Sequence, residues 1–248
     1  MLMIQRHQHL TDLLKERTAL SLEELAAALA VSPSTVRRDL DRLEQQGLVE
    51  RTHGGAVYRG QPKPTVVVAQ RMNEQVDQKT RIGQHAASLV QPQMTVILDG
   101  GSTVYYAAQR ITARPIQVVT NALLIANLFA DDEQVELLMI GGNLYPRSGV
   151  MVGPIARQAL QSLHADLMLF SVIGLYENEL FNQNLAMAEI EQMMLKQAAS
   201  AVLLMDSTKF GRKGLARVCS VDELQLIVTD ENISPRWRKT LGDRLMVV

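Results

Sequence analysis

Residues 21–57 read SLEELAAALAVSPSTVRRDLDRLEQQGLVERTHGGAV, and this stretch decides the first part of the fold. Leu22, Leu25, Ala26 and Leu29 recur at i, i+3, i+4 and i+7, one apolar face of a helix. Val31 closes that helix. Ser32 is placed to N-cap the next one, and Pro33 stands at its first position, where a missing N–H costs nothing. In the second helix Val36, Leu40 and Leu43 share one face. Ser34, Arg38, Asp41 and Arg42 point away from it, with Thr35 and Arg37 on the flanks. Leu48 and Val49 open a strand, and Arg51, His53, Gly54 and Gly55 make a turn able to reach a neighbouring backbone. Helix, capped turn, helix and basic glycine hairpin follow one another in the order of a winged helix-turn-helix. The outward face carries hydroxyls and guanidinium groups, which contact phosphates and base edges. Double-stranded DNA is therefore the expected partner, met by Ser34, Thr35, Arg37, Arg38, Arg42, Arg51, His53 and Gly54.

Charge alone does not lead there. Residues 1–60 hold eight Lys and Arg against eight Asp and Glu, with Asp39, Asp41 and Glu44 lying among the arginines. The order of elements carries the reading, because each constrains the next. The whole chain has a net charge of −1, so affinity for DNA has to come from local placement of arginines, doubled by a homo-oligomer, a dimer or tetramer.

At 248 residues the chain is long enough for two domains, and 47% of it is hydrophobic. No uninterrupted apolar run of about 18 residues is present to span a membrane. Gln5, Arg6, His7, Gln8 and His9 interrupt the start, where a secretory signal would need an apolar core. These features predict a soluble, cytoplasmic protein. Cys219 is the single cysteine, which excludes an intramolecular disulfide and a multi-cysteine zinc site, and it is expected to be a small buried hydrophobe near a strand. With the histidines scattered, no metal site and no cofactor are expected.

The segment YRGQPKPT at residues 58–65 holds two prolines and a glycine and marks a boundary. The expected division is a DNA-binding head at 1–58, a linker and connecting helix at 59–90, and an α/β domain at 91–248. Residues 69–90 have apolar positions Met72, Val76, Ile82, Ala86, Leu89 and Val90 and read as one or two helices. Beyond them, apolar strands are expected at 95–98, 116–120, 135–140, 167–173, 201–205, 225–228 and 245–248. Helices are expected at 104–111, 122–130, 155–163 and 188–200. Continuous Val/Ile/Leu strands alternating with helices predict a Rossmann-like α/β domain with parallel pairing.

In such sheets ligands sit beyond the carboxyl ends of the strands. The first strand ends in Asp99–Gly100–Gly101–Ser102–Thr103, the second in Thr120–Asn121, the third in Gly141–Gly142–Asn143, and a later one in DSTKFG with Lys209. Turn and capping chemistry explains each by itself. Four of them on one edge, one bearing an ammonium, predict a small anionic ligand.

The chain resembles the DeoR family of bacterial transcription regulators. The carrying motifs are VSPSTVRRDL at 31–40, Gly47–Leu48, HGGA at 53–56, DGGST at 99–103, VVTN at 118–121, Gly141–Gly142 with Gly153, and DSTKFG at 206–211. The resemblance implies that Ser34, Thr35, Arg37 and Arg38 face DNA. It also implies a C-terminal domain similar in fold to sugar-phosphate isomerases that senses a phosphorylated sugar. Asp99, Gly101, Ser102 and Thr103 would then form a phosphate loop, and Thr120, Asn121 and Lys209 would line the rest of the pocket. The implied role is regulation, as a repressor, of a carbohydrate-catabolism operon.

One region departs from the family pattern. Glycine and hydroxyl positions have become Ser171, Glu179 and Phe181, and a helix that carries basic residues elsewhere reads EIEQMM at 189–194. Glu189 aligns with the family's glutamate and reads as a contact for a ligand hydroxyl or, by its helix position alone, as a solvated glutamate. An isomerase-like enzyme with an appended head is the alternative, for which Asp99 and Glu189 are the plausible carboxylates. No histidine lies at a strand end of the body, so no catalytic residue is assigned and a non-enzyme is expected.

Overall fold

Six elements build the head: α1 (Met3–Arg17), β1 (Ala19–Ser21), α2 (Leu22–Leu29), α3 (Pro33–Gln45), β2 (Val49–Arg51) and β3 (Gly55–Tyr58). The computed structural model describes residues 3–17, 19–45, 49–52, 54–58 and 67–248. The expected features at Gly47, Leu48, His53 and 59–66 lie outside these described residues. By its internal contacts the chain forms two compact units, Met1–Thr65 and Val66–Val248.

In the head, Ser21 starts α2 with a capping box: its Oγ accepts the Glu24 N–H at 3.2 Å, and Glu24 Oε2 accepts the Ser21 N–H at 2.8 Å. Ala30 ends the helix in the left-handed region at φ 53°. Ser32 Oγ then accepts the Thr35 N–H at 3.3 Å, which is the expected cap of α3. Leu25, Ala26, Leu29, Val36, Leu40 and Leu43 are buried as their spacing predicts. Leu10 and Leu14 from α1 and Leu20 from β1 complete the core. The strands form an antiparallel sheet in the order β1-β3-β2, so the helix-turn-helix and its wing are both present.

Asp39, which lies among the arginines in sequence, does not share their outer face. It is three residues after Val36 and four before Leu43, hence on the buried side, and is 3% exposed. Its carboxylate accepts from Arg6 at 2.5 and 3.1 Å and pairs with His7 at 2.9 Å. Burial pushes its pKa up, but the hydrogen bonds from Arg6 and His7 outweigh that and hold it below the ordinary value. Asp39 thus clamps α1 onto α3.

The second unit runs α4 (Val67–Met72), α5 (Val76–Ser88), β4 (Thr95–Leu98), α6 (Ser102–Ala108), β5 (Ile116–Thr120), α7 (Leu123–Phe129), β6 (Val135–Met139), β7 (Asn143–Tyr145), β8 (Val150–Val152), α8 (Pro154–Leu160) and β9 (Ala165–Phe170). It continues with β10 (Gly174–Tyr176), β11 (Glu179–Asn182), α9 (Leu185–Gln197), β12 (Ala198–Leu204), β13 (Ala216–Ser220), β14 (Leu226–Thr229), α10 (Pro235–Leu241) and β15 (Leu245–Val247). Seven strands form the expected parallel sheet in the order β15-β14-β12-β9-β4-β5-β6. The chain leaves β4 toward β5 and β6, then returns on the other side through β9, β12, β14 and β15. The reversal falls between β4 and β9, where loops diverge and leave a crevice at the carboxyl edge.

Three findings go beyond the expected pattern. Residues 69–90 are not a bare connector: α5 packs on α6, β12 and β14, and buries Ile82, Ala86 and Ala87 in the body's core. A β7–β8 hairpin and a second antiparallel sheet, β10-β11-β13, are added to the parallel one. The expected strand at 167–173 stops at Phe170, because Ser171 turns into the crevice edge. Cys219 lies in β13, 1% exposed, and burial pushes its thiol pKa up to about 12, as suits a packing residue. No described helix is long and apolar enough to cross a membrane.

The two wing glycines have different roles. A Cβ on Gly55 would fall on the Leu20 carbonyl of β1, whereas one on Gly54 would meet nothing within 4 Å. Gly55→Ala should therefore destabilise the head by about 1–3 kcal/mol, and Gly54→Ala should not. Thermal denaturation of both variants tests this; equal melting temperatures would show that β1 and β3 do not approach as described.

Candidate functional site

Two surfaces bear the residues singled out in the sequence. On α3, Ser34, Arg37, Arg38 and Arg42 are exposed and Thr35 is half-buried. The Ser32 hydroxyl lies 2.9 Å from both the Ser34 and Thr35 hydroxyls, so the turn presents a hydroxyl cluster beside the arginines. Glu44 accepts the Arg51 N–H at 3.0 Å and Asp41 pairs with the Arg51 guanidinium, which ties the first wing strand to α3. Arg51 is accordingly engaged inside the head, though its side chain stays 37% exposed. Gly54 is exposed, and its carbonyl accepts the Leu22 N–H at 2.9 Å. The wing is thereby held to the start of α2.

The second surface is the crevice between β4 and β9. Asp99, directly after β4, is 4% exposed and accepts the backbone N–H groups of Gly100 and Ser171. Burial pushes its pKa up to about 6, against the opposing pull of those N–H groups and of Lys209. Gly101 sits where a Cβ would come within 2.7 Å of the Ser171 Cβ, so only glycine lets the two loops meet. Ser102 lines the crevice, while Thr103 is fully buried behind it, its Oγ1 without a partner.

Lys209 arrives from the loop after β12. Asp230, beyond β14, holds that loop by accepting from Ser207 N–H at 2.7 Å and Ser207 Oγ at 2.9 Å. Asp206 caps the same turn by accepting the Thr208 N–H at 3.1 Å. The Lys209 ammonium donates to Ser171 Oγ at 2.9 Å. Burial pushes its pKa down to about 8, with Asp206 pulling the other way.

Outward from Lys209 the crevice widens to a cavity of about 370 Å³ lined by Arg71, Lys79, Arg212 and Lys213 as well as Ser102 and Thr208. Glu74 and Asp206 are its acids. Lys79 is 3% exposed and donates to the carbonyls of Arg71 and Glu74, so it anchors the end of α4. Lys213 lies over the Tyr176 and Phe181 rings, 5.5 and 5.7 Å from their centroids. Phe181, one of the departures from the family pattern, thus steadies a cation at the crevice mouth. Glu179 is another, and it pairs with Arg217 of β13.

Several expected ligand contacts are placed elsewhere. Thr120 is 0% exposed, donates to the Leu98 carbonyl at 2.6 Å and accepts the Ala122 N–H at 3.1 Å. Asn121 donates to the Met151 carbonyl at 2.9 Å and fastens β8. Gly142, at φ 148°, makes the turn into β7, where a Cβ would meet the Val152 carbonyl at 2.8 Å, and Gly141 precedes it. None of these four lines the crevice. Glu189 is exposed on α9 and does not reach it either. The glutamate that does is Glu191, 1% exposed, since two residues along a helix turn a side chain by about 200°. Arg71, Ser171, Asn182, Glu191 and Arg212 are site residues the sequence reading did not assign. The basic pair Arg212–Lys213 directly after DSTKFG is the signal that points to Arg212, whereas Arg71 has none.

The profile of the DeoR-like helix-turn-helix domain matches residues 6–61, and that of the DeoR C terminal sensor domain matches residues 74–231. The L-fucose operon activator of Escherichia coli strain K12 is 35% identical over 229 residues, 91% of this chain and 94% of that protein. The HTH-type transcriptional repressor GlcR of Bacillus subtilis strain 168 is 30% identical over 219 residues, 88% of this chain and 85% of that protein. Among solved structures, ribose 5-phosphate isomerase A from Methanocaldococcus jannaschii aligns over 54% of each chain with 16% identity and a TM-score of 0.39. With a head, a body and relatives that agree along nearly its whole length, this chain belongs to the DeoR family.

Proposed function

We propose that this protein is a cytoplasmic repressor of a carbohydrate-catabolism operon, that it binds its operator as a homo-oligomer through α3 and the wing, and that a phosphorylated sugar releases it. One observation carries the effector class: five cationic side chains, Arg71, Lys79, Lys209, Arg212 and Lys213, converge on a crevice holding two acids at its mouth, Glu74 and Asp206. Asp206 is already occupied by Thr208. An excess of fixed positive charge at a strand-end crevice suits a phosphate. The phosphate is assigned to Ser102, Lys209, Arg71 and Arg212. The relatives named above regulate transcription, one as an operon activator and one as a repressor, which supports the reading of a sugar-responsive regulator. Catalysis is not part of the proposed role, a reading supported by relatives that regulate transcription.

Arg38→Ala should weaken operator binding by about 1–3 kcal/mol if the guanidinium reads a base. If it meets phosphate alone, all DNA sequences lose affinity alike and the salt dependence falls by about one ion. Fluorescence anisotropy on operator and on unrelated DNA separates these, and unchanged affinity for both removes Arg38 from the interface.

Lys209→Ala should lower affinity for a phosphorylated effector by about 1.5–3 kcal/mol while leaving operator binding of the free protein intact. The pH dependence has a definite sign. The free protein's lysine loses its proton as pH rises through about 8, and phosphate needs the ammonium. Affinity should fall above that pH, with proton uptake on binding, and Lys209→Arg should abolish the inflection. Calorimetry in two buffers reads both; a flat profile to pH 9 would take Lys209 out of the phosphate site.

A further inference from the structure

Helix α9 brings one more carboxylate to the crevice than a phosphate site calls for. Glu191 lines the floor with Asp99, Ser171, Asn182 and Lys209. Its Oε1 accepts from Asn182 Nδ2 at 2.6 Å, and Asn182 is fixed in turn by accepting the Gln183 N–H on its Oδ1 at 2.7 Å. Glu191 Oε2 is buried without a hydrogen-bond partner. Of the nearby donors, the Asn182 amide serves Oε1 and the Lys209 ammonium gives one of its three protons to Ser171 Oγ, and neither is bonded to Oε2. Burial, reinforced by the Asp99 charge, pushes the Glu191 pKa well above the usual carboxylate range and favours its neutral acid, so a ligand donor at Oε2 is what would draw it back to the accepting carboxylate. A buried acceptor left unpaired is costly, and a polar group kept in that state in a cavity wall suits a site that a ligand completes.

Space sharpens the assignment. The floor encloses about 40 Å³, against about 370 Å³ at the cationic mouth. A volume so small admits a group of water's size, about 30 Å³ in the liquid. The carboxyl groups of Asp99 and Glu191 disfavour a phosphate against this wall, although Arg71, Ser102 and Lys209 line the floor as they do the mouth. A hydroxyl or an amino group fits on both counts.

We propose that Glu191 determines specificity at the inner end of the crevice, its Oε2 accepting a hydrogen bond from a donor on the part of the ligand remote from the phosphate, a sugar hydroxyl or an amino group. This rests on the anion assignment made above and adds the chemistry of the ligand's other end. Glu191→Gln is the diagnostic change: the amide oxygen can still accept from Asn182, but the amide nitrogen, unlike a carboxyl oxygen, cannot shed its proton to become an acceptor, so the inner end meets the ligand's donor with the wrong sign.

Calorimetry on the full chain with inorganic phosphate, hexose and pentose phosphates, and 2-amino-hexose phosphates tests this. At least one sugar phosphate should bind the wild type more than about tenfold tighter than inorganic phosphate, a difference of about 1.4 kcal/mol. Glu191→Gln should cancel that excess and leave inorganic phosphate within about twofold, which also shows that the variant is folded. The ligand that loses most identifies the donor as hydroxyl or amino group. A deoxy analogue of the best ligand, titrated into wild-type protein, makes the same test without a substitution. Undiminished affinity of Glu191→Gln and of the analogue overturns the proposal, as does a wild type that binds no sugar phosphate better than inorganic phosphate. In that second case the anion assignment stands; if inorganic phosphate and every sugar phosphate fail to bind the wild type, both fall.

Discussion

Ser171 is the junction on which the ligand crevice depends. Its backbone N–H holds Asp99, its hydroxyl receives Lys209, and its Cβ leaves room only for glycine at 101. Three loops, after β4, β9 and β12, therefore meet at one residue. All three strands are buried on both faces, so polar groups at their ends must find partners within the fold or in a ligand. Asp99 and Lys209 are brought together by this requirement, and burial pushes the pKa of each toward neutrality. Asp230 acts one step further out, fixing the Ser207 turn that aims the lysine.

The head is organised by an equivalent constraint. Asp39 is buried under α3, and Arg6 and His7 satisfy it from α1. The recognition helix is thus locked from behind, while its opposite face keeps arginines and hydroxyls in solvent. Arg51 joins the wing to the same helix through Asp41. With no net positive charge over residues 1–60, one head has few cations to set against phosphates, and the proposed homo-oligomer would double them. A ligand in the body can then act on DNA by favouring one arrangement of heads over another. A differential affinity of about 1–3 kcal/mol between the two arrangements suffices.

Much of this was legible in the sequence, for identifiable reasons. The 3.6-residue period of α2 and α3 and the Ser32–Pro33 start gave the helix-turn-helix, and apolar runs located the seven parallel strands within a few residues. Asp39 lies among charged neighbours in sequence, and its spacing from Val36 and Leu43 is what puts it inside. The crevice was read from loop composition, which cannot separate a residue that lines a site from one that builds it. Thr120 and Asn121 have the polarity of ligand contacts and spend it on backbone carbonyls. Glu189 and Glu191 differ by half a turn of helix, and the chosen one faces solvent. Arg71 comes from a helix far upstream in sequence, and tertiary packing alone brings it to the strand ends.

The central claim is that the mouth of this crevice, and not its floor, is built to hold a phosphate. Anomalous diffraction from crystals soaked in tungstate, a heavy analogue of phosphate, tests it most directly. The account predicts a tungsten peak beside Ser102 and Lys209, within reach of Arg71 and Arg212. A peak on the floor against Asp99 and Glu191, or binding confined to other surfaces, would contradict it.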